Sequence, residues 1–167
     1  MHYELNLRAL EPEDADMMYQ AENDEAAWIY SDYLAPLSLE LLRQYALTYD
    51  ADPFRSGQLR LIIDVDGSAS GILDLFDISP RHLRAETGIY ILPQFRGKGI
   101  ATEALNAAKD YASNRLGLHQ LTASISEQNQ EALKTYKKAG FQITGSRPDW
   151  LRTHDGYQSI NILSSIL

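Results

Sequence analysis

The chain of 167 residues contains no cysteine. Disulfides, thiolate metal sites and a cysteine nucleophile are excluded together, and a reducing compartment suits such a chain. Long apolar runs are missing as well. Nothing approaches the ~20 residues needed to span a bilayer, and Met1-His2-Tyr3-Glu4-Leu5 has neither a basic n-region nor an apolar h-region. The expected location is the cytoplasm, with no membrane partner. The histidines His2, His82, His119 and His154 are scattered without metal-ligand spacing, so they read as surface or packing residues and no metal is expected. Positive charge is in deficit: a net charge of −8 argues against nucleic acid as a partner. Internal repeats, low-complexity tracts and linkers are absent too, so residues 1–167 read as one domain.

The charge that is present is unevenly spread. Residues 1–86 hold 6 Lys/Arg against 17 Asp/Glu, whereas residues 87–167 hold 9 against 6. The first half would attract a cation and the second could accommodate phosphates, although acidic surface also serves solubility alone.

Periodicity gives the order of elements. Tyr3–Leu10 alternates as an opening strand, and Glu11-Pro12-Glu13-Asp14 starts a helix with proline and acids in its first turn. Ser38 caps a second helix that runs to about Tyr49. Strands follow at 59–65, 71–78 and 85–92, the last stopped by Pro93. From Gly97 to about Leu116, Ile100, Ala104, Leu105, Ala108, Tyr111 and Ala112 line one helical face, which Gly117 ends. A strand at 118–125, a helix at 129–139, a strand opening at 141–144 and a hairpin turned near His154-Asp155-Gly156 complete a mixed α+β domain.

The join after Pro93 carries the chemistry. A helix N-terminus presents N–H groups without intrahelical partners and partial positive charge. Gly97 and Gly99 let the backbone approach an anion, and Arg96 and Lys98 add charge there, making a cradle suited to a pyrophosphate. The dinucleotide pattern fails because Thr102 stands at the third glycine, and no Gly-Lys-Ser/Thr is placed for a P-loop.

Gln94-Phe95-Arg96-Gly97-Lys98-Gly99 matches, position by position, the Gln/Arg-x-x-Gly-x-Gly/Ala signature of the GCN5-related N-acetyltransferases, the GNAT superfamily, and a second element matches at Asn129–Phe141. The resemblance extends from Leu7-Arg8-Ala9-Leu10 to the last strand. It is strongest to the branch of spermidine/spermine and ribosomal-protein N-terminal acetyltransferases, through 84–91, Leu116-Gly117-Leu118-His119 and 136–141. It implies a mostly antiparallel mixed sheet of about six or seven strands flanked by about four helices. It also implies acetyl-CoA as co-substrate, and a homo-oligomer, since members of this branch are commonly oligomeric.

The resemblance also distributes roles. The cradle from Gln94 through Phe95, Arg96, Gly97, Lys98, Gly99 and Ile100 to Ala101 would hold the pyrophosphate. Backbone N–H groups of Tyr90 and Ile91, on a strand that splays from its neighbour, would hold the thioester oxygen. Tyr136 would serve as general acid beside the sulfur. Asn129 would touch the pantetheine or simply cap its helix, and Lys138 would reach the 3′-phosphate region or stay solvated. Glu86, on the same strand face as Gly88 and Tyr90, is the general-base candidate, acting on the amine through water. Asp74 would join it in the amine pocket, with Asp32 and Tyr33 in the acceptor loop, where the polyamine enzymes carry an acidic pair that this chain replaces with Tyr30-Ser31-Asp32-Tyr33. Direct acetyl transfer to a small polyamine-like cation is the expectation. The alternatives are a protein N-terminus as acceptor, or a non-catalytic acetyl-CoA-binding module.

Overall fold

Alternation along Leu59–Val65 sends Leu59, Leu61, Ile63 and Val65 to one side of a strand and Ile62 to the other, all of them buried. A strand buried on both faces must be covered on both, and the computed structural model, which describes residues 3–167, shows the two layers that cover it. Strands β1 (Leu5–Ala9), β2 (Leu59–Val65), β3 (Ser68–Ser79) and β4 (Arg84–Ile91) pair antiparallel in chain order. Strands β5 (Gln120–Ser126), β6 (Gln142–Thr153) and β7 (Gly156–Ile166) complete a seven-stranded sheet in the order β1-β2-β3-β4-β5-β7-β6, in which only β4 and β5 run parallel.

Helices α1 (Ala15–Glu22), α2 (Glu25–Trp28), α3 (Leu39–Leu47) and α4 (Pro53–Ser56) all precede β2, while α5 (Ile100–Asn114) and α6 (Gln130–Lys138) follow β4 and β5. One core cluster joins α5 and α6 to Leu61, Leu73, Leu121 and Leu163, and another joins α1 and α3 to Ile62, Ile72 and Leu92. Alanines 104, 108 and 112, each fully buried, let α5 lie close to the sheet. Ser38 caps α3 as the sequence indicated, its Oγ accepting the Leu41 N–H at 3.1 Å.

The expected mixed sheet is present, and the differences are local. Gly97-Lys98-Gly99 lie outside α5: Gly97 and Gly99 have φ of 75° and 83°, and Gly99 is the N-cap. The short helices α2 and α4 were too brief for a periodic signal. The strand opening at 141–144 and the first arm of the final hairpin are one long strand, β6, whose register slips between Arg147 and Leu151. His2 lies outside the described residues. Among those residues no helix is long and apolar enough to cross a membrane.

Gly71 sits where β3 meets the end of β4, and a Cβ there would stand 2.2 Å from the Tyr90 carbonyl oxygen. At Gly88 the nearest atom would be Phe76 Cε1, at 3.5 Å. Gly71→Ala is therefore expected to lower unfolding stability by about 2 kcal/mol or more, in the overpacking range. Gly88→Ala should cost much less, as compared by urea denaturation.

Candidate active site

Strands β4 and β5 pair only through Arg84–Gln120, Ala85–Leu121 and Glu86–Thr122. Beyond Glu86 they part, while β4 remains paired with β3 as far as Ile91. The Leu92 N–H donates to the Ser70 carbonyl on the β3 side. By ladder alternation, the peptide groups of Thr87, Ile89 and Ile91 point the other way, into the gap. The expected splay is thus visible, with one correction to the backbone assignment. Ile91 presents its N–H to the gap together with Ile89, whereas the N–H of Tyr90 is turned toward Ile72 on β3.

A carbonyl facing such a gap needs a donor. Tyr136 on α6 supplies one, its hydroxyl donating to the Thr87 carbonyl at 3.1 Å. The ring is 4% exposed and meets Phe141 edge-on, with centroids 5.1 Å apart. Burial first, then the nearby Glu86 carboxylate, push the phenol pKa well above its ordinary value. At neutral pH the group is a committed proton donor. Beside it, Thr87 Oγ1 is the one buried side-chain polar atom without a hydrogen-bond partner among the described residues. Threonine in a strand gives no warning of this, because an orphaned hydroxyl is a property of the packed site.

The second carbonyl at the gap, that of Ile91, accepts from Arg96 Nε at 2.8 Å. The Arg96 side chain therefore turns back onto its own strand and does not extend over the glycine turn. Lys98 is also tethered, its Nζ donating to the Gln94 carbonyl at 3.2 Å and lying 5.5 Å from the Phe95 ring centroid. Backbone is what the cradle itself offers. A side chain at Gly97 would meet nothing within 4 Å, and the first N–H groups of α5, at Ile100 and Ala101, open the helix there. Asn129 caps α6 by accepting the Ala132 N–H at 3.2 Å. Lys138 is exposed and lines, with Gln130, Leu133, Lys134 and Lys137, an open groove of about 440 Å³ along α6.

The opposite face of the sheet, under α1 to α3, carries the acceptor candidates. Asp74 differs from expectation: its carboxylate makes a two-pronged pair with Arg60 at 2.8 and 2.7 Å. Arg60 also binds Glu22 at 2.5 Å, and its side chain is only 14% exposed. Arg60 lies outside both motifs and carried no sequence signal, yet it neutralises the acid chosen for the amine. Asp64, on the same face of β2, is held by Arg8 at 3.0 Å. Among the described residues Glu86 binds no cation, so of these three sheet carboxylates it alone is left uncompensated. Asp32 and Tyr33 lie in the exposed segment between α2 and α3. Partial burial of its phenol and the neighbouring Glu22 carboxylate raise the Tyr33 pKa.

Residues 4–142 match the family described as the Acetyltransferase (GNAT) domain. Spermidine N(1)-acetyltransferase of Escherichia coli K12 is 32% identical over 146 residues, covering 86% of this chain and 75% of that protein. The structure of spermidine N-acetyltransferase from Vibrio cholerae in complex with CoA and spermine superposes with a TM-score of 0.84 at 26% identity, over 97% of this chain and 95% of the other. A dodecameric structure of the Vibrio cholerae enzyme gives a TM-score of 0.81 at 25% identity, over 97% and 93%. With the parted strands, the glycine cradle and Tyr136 at the gap, these likenesses show that the chain belongs to the GNAT acetyltransferase family.

Proposed function

We propose that the protein transfers an acetyl group from acetyl-CoA directly to a primary amine of a small polyamine-like cation. The observation that carries this reading is the meeting of two groups on β4: Glu86, an uncompensated carboxylate, and Thr87, whose carbonyl holds the Tyr136 phenol. Glu86 would attract and deprotonate an ammonium group, and the Tyr136 phenol held at Thr87 would offer a proton beside the parted strands. Acetyl-CoA supplies the acyl thioester when bound. The acid-rich first half of the chain supports a cationic acceptor, as do the relatives named for spermidine.

The residues divide the work. The cradle formed by Gln94 to Ala101 would hold the pyrophosphate through backbone N–H groups, and the Ile91 N–H would polarise the acyl carbonyl. Glu86 would take a proton from the ammonium group, directly or through water, since only the neutral amine attacks. Its negative charge would also concentrate and orient the cation. Tyr136 has a pKa well above a thiol's ordinary ~8.5, so it favours hydrogen bonding to the departing sulfur over early proton transfer. Lys138 with Lys134 and Lys137 would meet the 3′-phosphate end. Exposed Ile143, Trp150, Tyr157 and Ile166 on the β6–β7 hairpin give a homo-oligomer an apolar surface to use, in keeping with the dodecameric Vibrio cholerae relative. A cysteine-free chain with these substrates fits the cytoplasm.

Spermidine is expected to accelerate CoA release from acetyl-CoA, read by thiol titration; turnover of an N-terminal peptide with none on any diamine or polyamine would reverse the choice of acceptor. Tyr136→Phe should lower kcat by roughly 100-fold or more while leaving acetyl-CoA binding in place. Because the phenol stays protonated, kcat of the unaltered enzyme should not decline on the alkaline side up to pH ~10, the ordinary tyrosine value. An alkaline fall well below that pH would remove Tyr136 as the donor. Glu86→Gln should raise the amine KM much more than the acetyl-CoA KM, measured by varying each substrate at saturation of the other.

A further inference from the structure

The segment 24–38 contains Asp32 and Tyr33 and is held chiefly at its ends. Helix α2 buries no residue and Leu34 is 99% exposed, while Trp28 Nε1 donates to the Glu22 carbonyl at 2.7 Å and the Asn23 amide exchanges two hydrogen bonds with the Leu37 backbone. The first turn of α2 is capped by Asp24. Asp24 Oδ1 accepts the Ala26 N–H at 3.1 Å, closing the first turn of α2. The other oxygen accepts the Tyr90 hydroxyl at 2.6 Å and lies 3.5 Å from the Arg96 guanidinium. A contact of that length is typical of an O–H donor on an ionised carboxylate.

Arg96 closes the circuit. Its guanidinium lies 5.3 Å from the Tyr90 ring centroid, and its Nε donates to the Ile91 carbonyl at the gap. Three elements with separate tasks therefore meet on one carboxylate: the acceptor segment through Ala26, the thioester strand through Tyr90, and the pyrophosphate cradle through Arg96. The hydrogen bond from Tyr90 leads in holding the Asp24 pKa below its ordinary value, while burial and that same bond push the Tyr90 phenol up to about 12. Both partners keep their bonded forms across the neutral range.

We propose that Asp24 is a positioning residue that makes the order of the acceptor segment depend on occupancy of the acetyl-CoA cradle. A ligand seated against residues 94–101 restrains Arg96, which restrains the Tyr90–Asp24 bond, which in turn keeps α2 capped and the following loop in place. Coupling of this kind is reciprocal, so the acceptor segment tightens the cradle by the same factor. Only the choice of amine rests on the function proposed above; the coupling itself needs CoA alone.

The test is amide hydrogen exchange of peptides from 24–38 in the full chain, with and without CoA at saturation confirmed by calorimetry. CoA should slow exchange there by roughly fivefold or more in the unaltered protein, the lower range of allosteric coupling. In Tyr90→Phe, which deletes one hydroxyl and spares the Asp24 cap, the slowing should disappear. Asp24→Asn, which retains an oxygen for Ala26, should behave alike. A merely local cap would leave the CoA response intact in Tyr90→Phe, and that result, or no response in the unaltered protein, overturns the proposal. A steady-state arm with spermidine should show Tyr90→Phe raising the amine KM more than it lowers kcat. Absence of spermidine turnover in the unaltered protein would count against the proposed acceptor, while the exchange data would still decide the coupling.

Discussion

Everything at this site depends on β4 leaving β5 after three paired residues. A parallel ladder continued past Glu86 would satisfy the Thr87 and Ile91 carbonyls with strand N–H groups and leave no gap. Because it stops, those carbonyls must find donors elsewhere, and the donors recruited are two side chains. Tyr136 answers the first and Arg96 the second. The parting of the strands thus fixes the Tyr136 hydroxyl and the Arg96 side chain by the same unsatisfied backbone chemistry.

Charge on the other face follows a similar economy of pairs. Arg8 neutralises Asp14 and Asp64, Arg60 neutralises Glu22 and Asp74, and Arg96 with Tyr90 holds Asp24. Acidic excess in the first half of the chain is therefore much smaller near the sheet than the composition implies. Removing Arg60 would leave two carboxylates facing each other in poorly solvated surroundings, a loss of about 3–5 kcal/mol for a broken buried pair. Of Asp64, Asp74 and Glu86, the one left without a cation among the described residues is Glu86.

The fold was largely readable because α5 and the strands repeat their apolar positions: Ile100, Ala104, Leu105 and Ala108 announce a buried helix face, and Leu59 to Val65 a strand covered twice. Gly97 and Gly99 were readable for the same kind of reason, since left-handed backbone at a helix start narrows the choice of residue. Partners of polar side chains were not readable. Asp74 looks like a free acid until Arg60, fourteen residues earlier, is seen across the β2–β3 pair. Asp24 looks like an ordinary cap, because its bond to Tyr90 joins positions 66 residues apart. Arg96 was assigned to the phosphate by its place in the motif, whereas its long side chain can reach backward as easily as forward.

The strand order has a consequence for how the chain is built. Strands β2 to β4 zip in sequence through neighbouring hairpins, so that this part of the sheet can form from local pairings, whereas β1 pairs with β2 across four intervening helices. On the other side β7 lies between β5 and β6, though it follows both in the chain. Until β7 arrives, β5 and β6 share no neighbour and α6 has only part of its floor. A nascent chain emerging from its N-terminus would therefore hold a finished acceptor half and an unfinished donor half. Completion of this side of the sheet waits on β7, which acts as its keystone.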